Sequence, residues 1–296
     1  GPCVTVTSYA FAHFEDTLKP ETDLMVAVTQ EGESTNTIDA LQKANTLGMD
    51  NFVVTEYLNN TCTQTAKNKV TIDCGREFVG PKTKGYTCTV LTLYVMALEA
   101  ARYSKRVDED TYRNYKERLN KVLGHTNAVV EKTKAWFETN KEDWKACEKC
   151  YVIGYGANVG TAMEGALKSM ETVRYPYFWF ESEEFLHGPL ASVKPDVYTV
   201  LISPKTWGYD RINTLFKIMN DQNEHVYSIG AQDGVESGHV LEADFINDED
   251  FSALEYCIPM QLLAYLTYTA KGIDLNVRNY PRTRDALQTK AKPVQR

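Results

Sequence analysis

The sequence predicts an α/β fold of two tandem lobes, each a mostly parallel sheet flanked by helices in a three-layer, flavodoxin-like arrangement. Three observations lead there. Short apolar runs rich in β-branched residues alternate with stretches of helical periodicity, the pattern of strand–helix–strand units. The alternation occurs twice, over residues 24–103 and again over 151–271. Between the two lies a charged, proline-free stretch, 108–148, that reads as a helical connection. The first lobe with this connection is placed at 1–140, and the second lobe with a C-terminal tail at 141–296.

Each element follows from local pattern. Residues 24–29 form a short apolar run suited to a buried parallel strand. A polar turn at 30–34 leads into a helix in which Ile38, Leu41 and Ala44 share a face, ending at Gly48. Residues 51–55 make the next strand, and 87–103 a long, mostly apolar helix. In the second half, 151–156 is a strand closing on Gly154-Tyr-Gly156, followed by a helix over 160–173. Strands at 198–202 and 225–230 alternate with helices at 211–221 and 256–271. The tail from Asp274 is polar and contains proline, and is expected to wrap over the body or a partner.

Composition narrows the function. The chain has 296 residues, 43% hydrophobic and 24% charged, enough for an ordinary core without disulfides or metal. A net charge of −8 argues against a nucleic-acid surface, which needs clustered Lys and Arg. No apolar run approaches the roughly 20 residues that span a bilayer. The opening residues lack the basic and apolar blocks of a signal peptide, so no membrane partner and a cytoplasmic location are expected. The seven cysteines are scattered, unlike a secreted disulfide framework. Cys147 and Cys150 have the CxxC spacing, but no second pair or nearby His completes a zinc site. Reduced thiols are expected, with no metal and no cofactor.

Three segments carry candidate chemistry. The turn after the first strand offers hydroxyls at Thr29, Ser34 and Thr37 where a helix N-terminus presents free N–H groups. They suit a phosphate, or serve simply as helix caps. Glu164, Lys168 and Glu171 are spaced by four and three residues, so they share one helical face. That face is either a solvated salt-bridge stripe or, given the Gly-x-Gly turn just before it, the wall of a ligand site. His187 precedes Gly-Pro, which puts it on a loop or helix end. There it is either a proton shuttle or a surface residue. A dinucleotide fingerprint does not form, because the third glycine, Gly160, falls one position late.

Taken together, five segments resemble the sugar isomerase (SIS) family, above all the isomerase half of glutamine–fructose-6-phosphate aminotransferase. VTQEGESTNT at 28–37 is similar to the SQSGETxDT phosphate loop, and PKTKGYT at 81–87 to STKxFT. AMEGALKSME at 162–171 resembles ALEGALKxKE, EFLHGPL at 184–190 resembles ELKHGPL, and IPMQLLAY at 258–265 resembles VPLQLLAY. The resemblance implies that Glu171 moves a proton between C1 and C2. It implies that His187 assists at the sugar oxygen, reaching in from the neighbouring subunit of a homodimer. Glu164 and Lys168 match other polar positions of the active-site helix. Thr29, Gln30, Ser34 and Thr37 fall in the phosphate loop, and Thr83 borders the sugar.

The sequence departs from the family at three places. Glu31 stands where a small Ser is usual beside the phosphate. The chain begins past the family's first strand and helix, without the early Gly-Thr-Ser loop. The ring-opening lysine position falls near Arg282, which stays protonated, with Lys290 as the nearby substitute. With no glutaminase segment and no Cys at residue 1, synthesis of glucosamine phosphate from glutamine is not expected. The expected function is cleavage of the C–N bond of an amino-sugar phosphate or sugar–amino-acid phosphate. Aldose–ketose isomerisation, or non-catalytic sugar-phosphate sensing, is the alternative.

Overall fold

The computed structural model describes residues 3–14, 18, 21, 23–235, 237–277 and 279–291. Gly1, Pro2 and Arg278, which entered the reading of the start and of the tail, lie outside them. The chain divides into two units, 1–95 with 276–296, and 96–275.

The first unit holds a three-stranded parallel sheet. Its elements are α1 (Ser8–His13), β1 (Leu24–Val28), α2 (Thr35–Thr46), β2 (Asp50–Thr55), α3 (Thr61–Thr65) and β3 (Asn68–Thr71). Strand order is β1-β2-β3, with Val28 opposite Val54 and Val54 opposite Val70. One face of α2 explains its packing: Ile38 and Leu41 bury against Ala27, Val53 and Cys62. Gly48 adopts φ +76 just beyond the helix, the left-handed turn that closes a helix C-terminus without a Cβ penalty. Along β1, Leu24, Val26 and Val28 alternate with these buried positions and remain exposed. The tail carries α11 (Thr283–Ala286) and then pairs on the loop after β1: Ser34 bridges Lys290 antiparallel, and Ala291 N–H donates to the Glu33 carbonyl at 2.8 Å.

Helix α4 (Lys84–Tyr103) runs across the boundary at residue 95. The second unit continues with α5 (Glu109–Thr139) and α6 (Lys141–Ala146). The helix expected over 108–148 is therefore two helices. They part at Asn140, whose side-chain amide donates to the carbonyls of Trp136 and Gly238 instead of solvent. Asp108 caps α5 by accepting from Thr111 N–H at 2.8 Å.

Five parallel strands follow: β4 (Cys150–Gly154), β5 (Tyr177–Glu181), β6 (Tyr198–Ile202), β7 (Val226–Ile229) and β8 (Val240–Leu241). Their order, β5-β4-β6-β7-β8, is the flavodoxin-like order 2-1-3-4-5 counted within the unit. The helices are α7 (Asn158–Thr172), α8 (Ser182–Leu186), α9 (Tyr209–Asn220) and α10 (Ser252–Ala270), with a 3-10 turn at Pro189–Ser192. Side chains alternate along the strands and so divide between two cores. Val152, Val200, Ile202, Tyr227 and Ile229 pack with α5, α7 and α10 through Phe137, Ala166 and Met260. Ile153, Leu201 and Val226 pack with α8 and α9 through Phe185, Ile212 and Phe216. The result is a helix–sheet–helix sandwich. α10 runs through Pro259, and begins four residues before the 256 expected from sequence. No described helix is long and apolar enough to cross a membrane.

Candidate active site

The sequence-derived candidates fall into two groups, one in each unit. In the first, Thr29 is buried directly after β1 and donates its N–H to Val54 O at 3.0 Å. Ser34 occupies the N-cap of α2, yet its side chain makes no capping bond. Thr37 sits buried in the first turn, 3.3 Å from the Ser8 hydroxyl. Gln30 and Thr83, far apart in sequence, meet at a residue the sequence did not single out, Glu77. Its carboxylate accepts from Gln30 Nε2 at 2.9 Å and from the N–H groups of Thr83, Lys84 and Gly85 at 3.0, 3.1 and 2.8 Å. Burial pushes this carboxyl up, but the four donors outweigh it and hold it below the ordinary carboxylate range. Glu77 thereby pins the start of α4 to the loop after β1. Nothing in its local sequence marks it, since three of its donors lie six to eight residues on, past an irregular loop, and the fourth, on Gln30, lies 47 residues back. A Cβ at Gly85 would lie 2.2 Å from Gln30 Nε2, so a larger residue there would have to push the Gln30 side chain aside.

In the same loop Glu31 lies between two ammonium groups. Lys82 Nζ is 3.8 Å from one carboxylate oxygen and Lys290 Nζ 3.4 Å from the other. Lys290, the expected stand-in for a ring-opening lysine, is thus beside the loop after β1, whereas Arg282 is exposed at the N-cap of α11.

In the second unit, the sheet order reverses between β4 and β6, and in open α/β sheets ligands bind outside the carboxyl ends of strands at such a reversal. Helix α7 leaves β4 at this place. Gly154 makes the tight exit possible: a Cβ there would sit 2.3 Å from the Asn158 carbonyl oxygen. Close packing thus accounts for the first glycine of the Gly-x-Gly turn, and a left-handed φ of +55 for the second, Gly156. Asn158 then donates to Ser252 Oγ at 3.0 Å and accepts from Thr161 Oγ1 at 2.9 Å, tying α7 to α10.

The charged face of α7 is not a solvated stripe. The side chains of Glu164 and Lys168 are 4% and 7% exposed, while that of Glu171 is 39% exposed. Lys168 Nζ donates to Glu171 Oε2 at 2.5 Å and lies 4.0 Å from Glu164 Oε2. Gln261 on α10, also absent from the sequence-derived set, donates to Glu164 Oε1 at 3.2 Å. A buried ammonium is costly unless paired, and here two carboxylates compensate it. The array presents one partly exposed carboxylate, oriented from below by a buried cation, which is a suitable geometry for moving a proton on a bound ligand.

His187 caps the C-terminus of α8 and is exposed. Among the described residues no hydrogen bond or ion pair joins it to Glu171. Its neighbour Glu183 is held by Arg211 in a two-pronged pair at 2.7 and 2.8 Å. Cys147 and Cys150 are buried free thiols, with Cys147 Sγ 3.3 Å from the Tyr177 hydroxyl. Among the described residues no group of three or more His, Cys, Asp or Glu is placed to hold a metal ion.

Fold and site define an α/β protein with a flavodoxin-like strand order, whose helix α7 leaves β4 beside the reversal and carries the charged array along its length to its last turn. The chain belongs to the SIS domain family: the family model, described as SIS domain, matches residues 145–236, the stretch that carries Glu164, Lys168, Glu171 and His187. A solved structure from Salmonella typhimurium LT2, described as a sugar binding protein, is 32% identical, with a TM-score of 0.74, covering 82% of this chain and 72% of that one. Another, from Clostridium difficile 630 and described as a phosphosugar isomerase, is 27% identical with a TM-score of 0.86 over 93% of this chain and 78% of that one. Among curated proteins, glutamine–fructose-6-phosphate aminotransferase (isomerizing) of Thermococcus kodakarensis is 28% identical over 274 residues, 92% of this chain. The chain spans about half the length of such relatives, 45% in that case.

Proposed function

We propose that this protein cleaves the C–N bond of an amino-sugar phosphate or a sugar–amino-acid phosphate, by proton transfer between C1 and C2. The observation that carries this reading is the Glu164–Lys168–Glu171 array, in which a partly exposed carboxylate is backed by a buried ammonium. Glu171 takes the proton from the carbon next to the carbonyl or imine and returns it to the neighbouring carbon. Water adds at the carbon bearing nitrogen as the C–N bond breaks, and the amine leaves with the proton it gains. Lys168 keeps the Glu171 carboxylate oriented, and Gln261 and Lys168 together compensate Glu164 beneath it. Thr29, Gln30, Ser34, Thr37 and Thr83 bind the phosphate and sugar in this reading, which the grouping of Gln30 and Thr83 around Glu77 supports.

His187 is the partner acid/base at the sugar oxygen, supplied by a second copy of the chain in a homodimer. Its exposure at the end of α8 leaves it accessible for that role. We read the first unit as a lobe of the same kind as the second, without the first strand and helix of that pattern in this sequence. The exposed apolar side of β1, Leu24, Val26 and Val28, supports this. The soluble, cytoplasmic setting of small phosphosugar chemistry is part of the same proposal.

Proton NMR in D₂O tests the reaction class. Glucosamine, fructose and fructosyl-amino acids, each with and without a 6-phosphate, are incubated with the protein, and deuterium is sought at C1 or C2. Deuterium entry with release of free amine is the expected result. Glu171→Gln is expected to lower turnover about 10³-fold with little change in ligand affinity, the size of a lost general base. Full activity in that variant would refute the assignment. Isomerised sugar without amine release would shift the function to aldose–ketose isomerisation, and line broadening without exchange to a sensor.

A further inference from the structure

The ion cluster at the loop after β1 has an unusual division of labour. The acidic groups around it, Glu33, Glu56 and Glu77, are each committed to main-chain donors. Glu33 accepts from Thr61 N–H at 3.3 Å and Thr61 Oγ1 at 2.5 Å. Glu56 accepts from Cys74 and Gly75 N–H, both at 2.9 Å, and Glu77 from the start of α4. The Glu31 carboxylate instead faces two ammonium groups, one at each oxygen. Each lysine has an attachment to the fold that does not involve it. Lys82 Nζ donates to the Glu77 carbonyl at 2.8 Å. The main chain at Lys290 is fixed by its bridge to Ser34, flanked by bonds from Thr35 N–H to Thr289 O and from Ala291 N–H to Glu33 O, which keeps its side chain at this loop. Glu31 itself is 45% exposed, so its carboxylate borders solvent. If the carboxylate turns out to solvent, a pair of cations remains at the carboxyl end of a parallel strand.

We propose that Glu31 is an internal counter-ion in a two-lysine anion seat, and that a phosphate monoester binds by displacing its carboxylate from between Lys82 and Lys290. The inference rests on the sugar-phosphate reading above and adds to it the residues that set affinity for the phosphate. A phosphate monoester carries a charge of about −1.5 to −2 at neutral pH, against −1 for the carboxylate. The exchange therefore favours a dianion over a monoanion such as acetate. Part of the phosphate affinity is spent on displacing Glu31, as when a binding-competent state is only fractionally populated. The lysine side chains are 25% and 31% exposed, so the effect is also weakened by salt.

Calorimetric titration of the full chain at low ionic strength tests this, with inorganic phosphate, fructose 6-phosphate, fructose and acetate as probes. The inference expects Glu31→Gln to bind inorganic phosphate and fructose 6-phosphate about tenfold more tightly, the scale of one removed like charge a few ångströms away. Fructose affinity is expected to stay the same. Adding Lys290→Met to Glu31→Gln is expected to cancel most of the gain, and the circular dichroism of each variant checks its fold. If the wild type binds fructose 6-phosphate in preference to fructose and Glu31→Gln binds it no more tightly, the counter-ion role is overturned while the sugar-phosphate reading stands. If neither protein prefers the phosphorylated sugar, the sugar-phosphate reading fails, and this inference with it.

Discussion

Lys168→Met removes an ammonium that two carboxylates share inside α7. The structure allows the loss to be apportioned. The contact to Glu171 is short, 2.5 Å, but that carboxylate is 39% exposed, so water replaces much of it and its share is about 0.5 kcal/mol. Glu164 is different: at 4% exposure it cannot turn to water, and it keeps Gln261 but loses its cation. Removing one partner of a buried pair costs about 3–5 kcal/mol, and the 4.0 Å separation and the Gln261 bond favour the lower end. A total near 3 kcal/mol is expected. All four tryptophans, Trp136, Trp144, Trp179 and Trp207, lie in the second unit, so tryptophan fluorescence during urea unfolding reports that unit. The expected result is a lower midpoint at unchanged slope. Combining Lys168→Met with Glu164→Gln is expected to recover about 2 kcal/mol, since the stranded charge is then gone. A loss below about 1 kcal/mol for Lys168→Met would mean that the array behaves as a surface stripe and that no buried cation orients Glu171.

Two further perturbations address the second unit's packing and electrostatics. Arg118 grips Asp248 at 2.8 and 2.7 Å and also reaches Asp250 at 2.7 Å. Burial pushes the Asp248 carboxyl up, but Arg118 and the N–H groups of Asp250 and Phe251 outweigh it and hold it below its ordinary 3.8. A depressed carboxyl stabilises the fold above its unfolded value and stops doing so as pH falls through the folded one. Arg118→Leu is therefore expected to cost about 2 kcal/mol at pH 7, and the gap to wild type to close in urea titrations run progressively below about pH 4. A gap that is constant from pH 7 to pH 2.5 would contradict the assignment. At Gly165 a Cβ would lie 2.4 Å from Met260 Cε and 2.9 Å from its Cβ, so Gly165→Val is expected to force α7 from α10 and cost about 2–3 kcal/mol by the same fluorescence assay. A neutral result would mean that the two helices yield freely at their contact.

Much of the second unit was legible in the sequence. Strands such as Tyr198–Ile202, buried on both faces, read as continuous apolar runs, and that is how they appear in the chain. β5 and β8 escaped the reading for opposite reasons. β5 is an edge strand with Phe178 and Trp179 exposed, so its pattern does not resemble a buried run. β8 is two residues long and gains its strand character from pairing with β7. The break at Asn140 likewise depends on a carbonyl 98 residues away, and no local signal announces it.

The spacing of Glu164, Lys168 and Glu171 by itself put them on one helical face, because the helix period is a local property of the chain. The five collinear segments by themselves pointed to the family. What the spacing could not say is whether that face meets water or a core, since burial is decided by which helix packs alongside. Here α10 supplies Met260 against Gly165 and Gln261 against Glu164. The same division holds in the first unit. The sequence identified Glu31 as an anomaly, but its meaning lay in lysines 51 and 259 positions away. Only the pairing of the tail on the loop after β1, and the loop that Glu77 ties to α4, brought those charges together, because electrostatic energy depends on distance in space and not on distance along the chain.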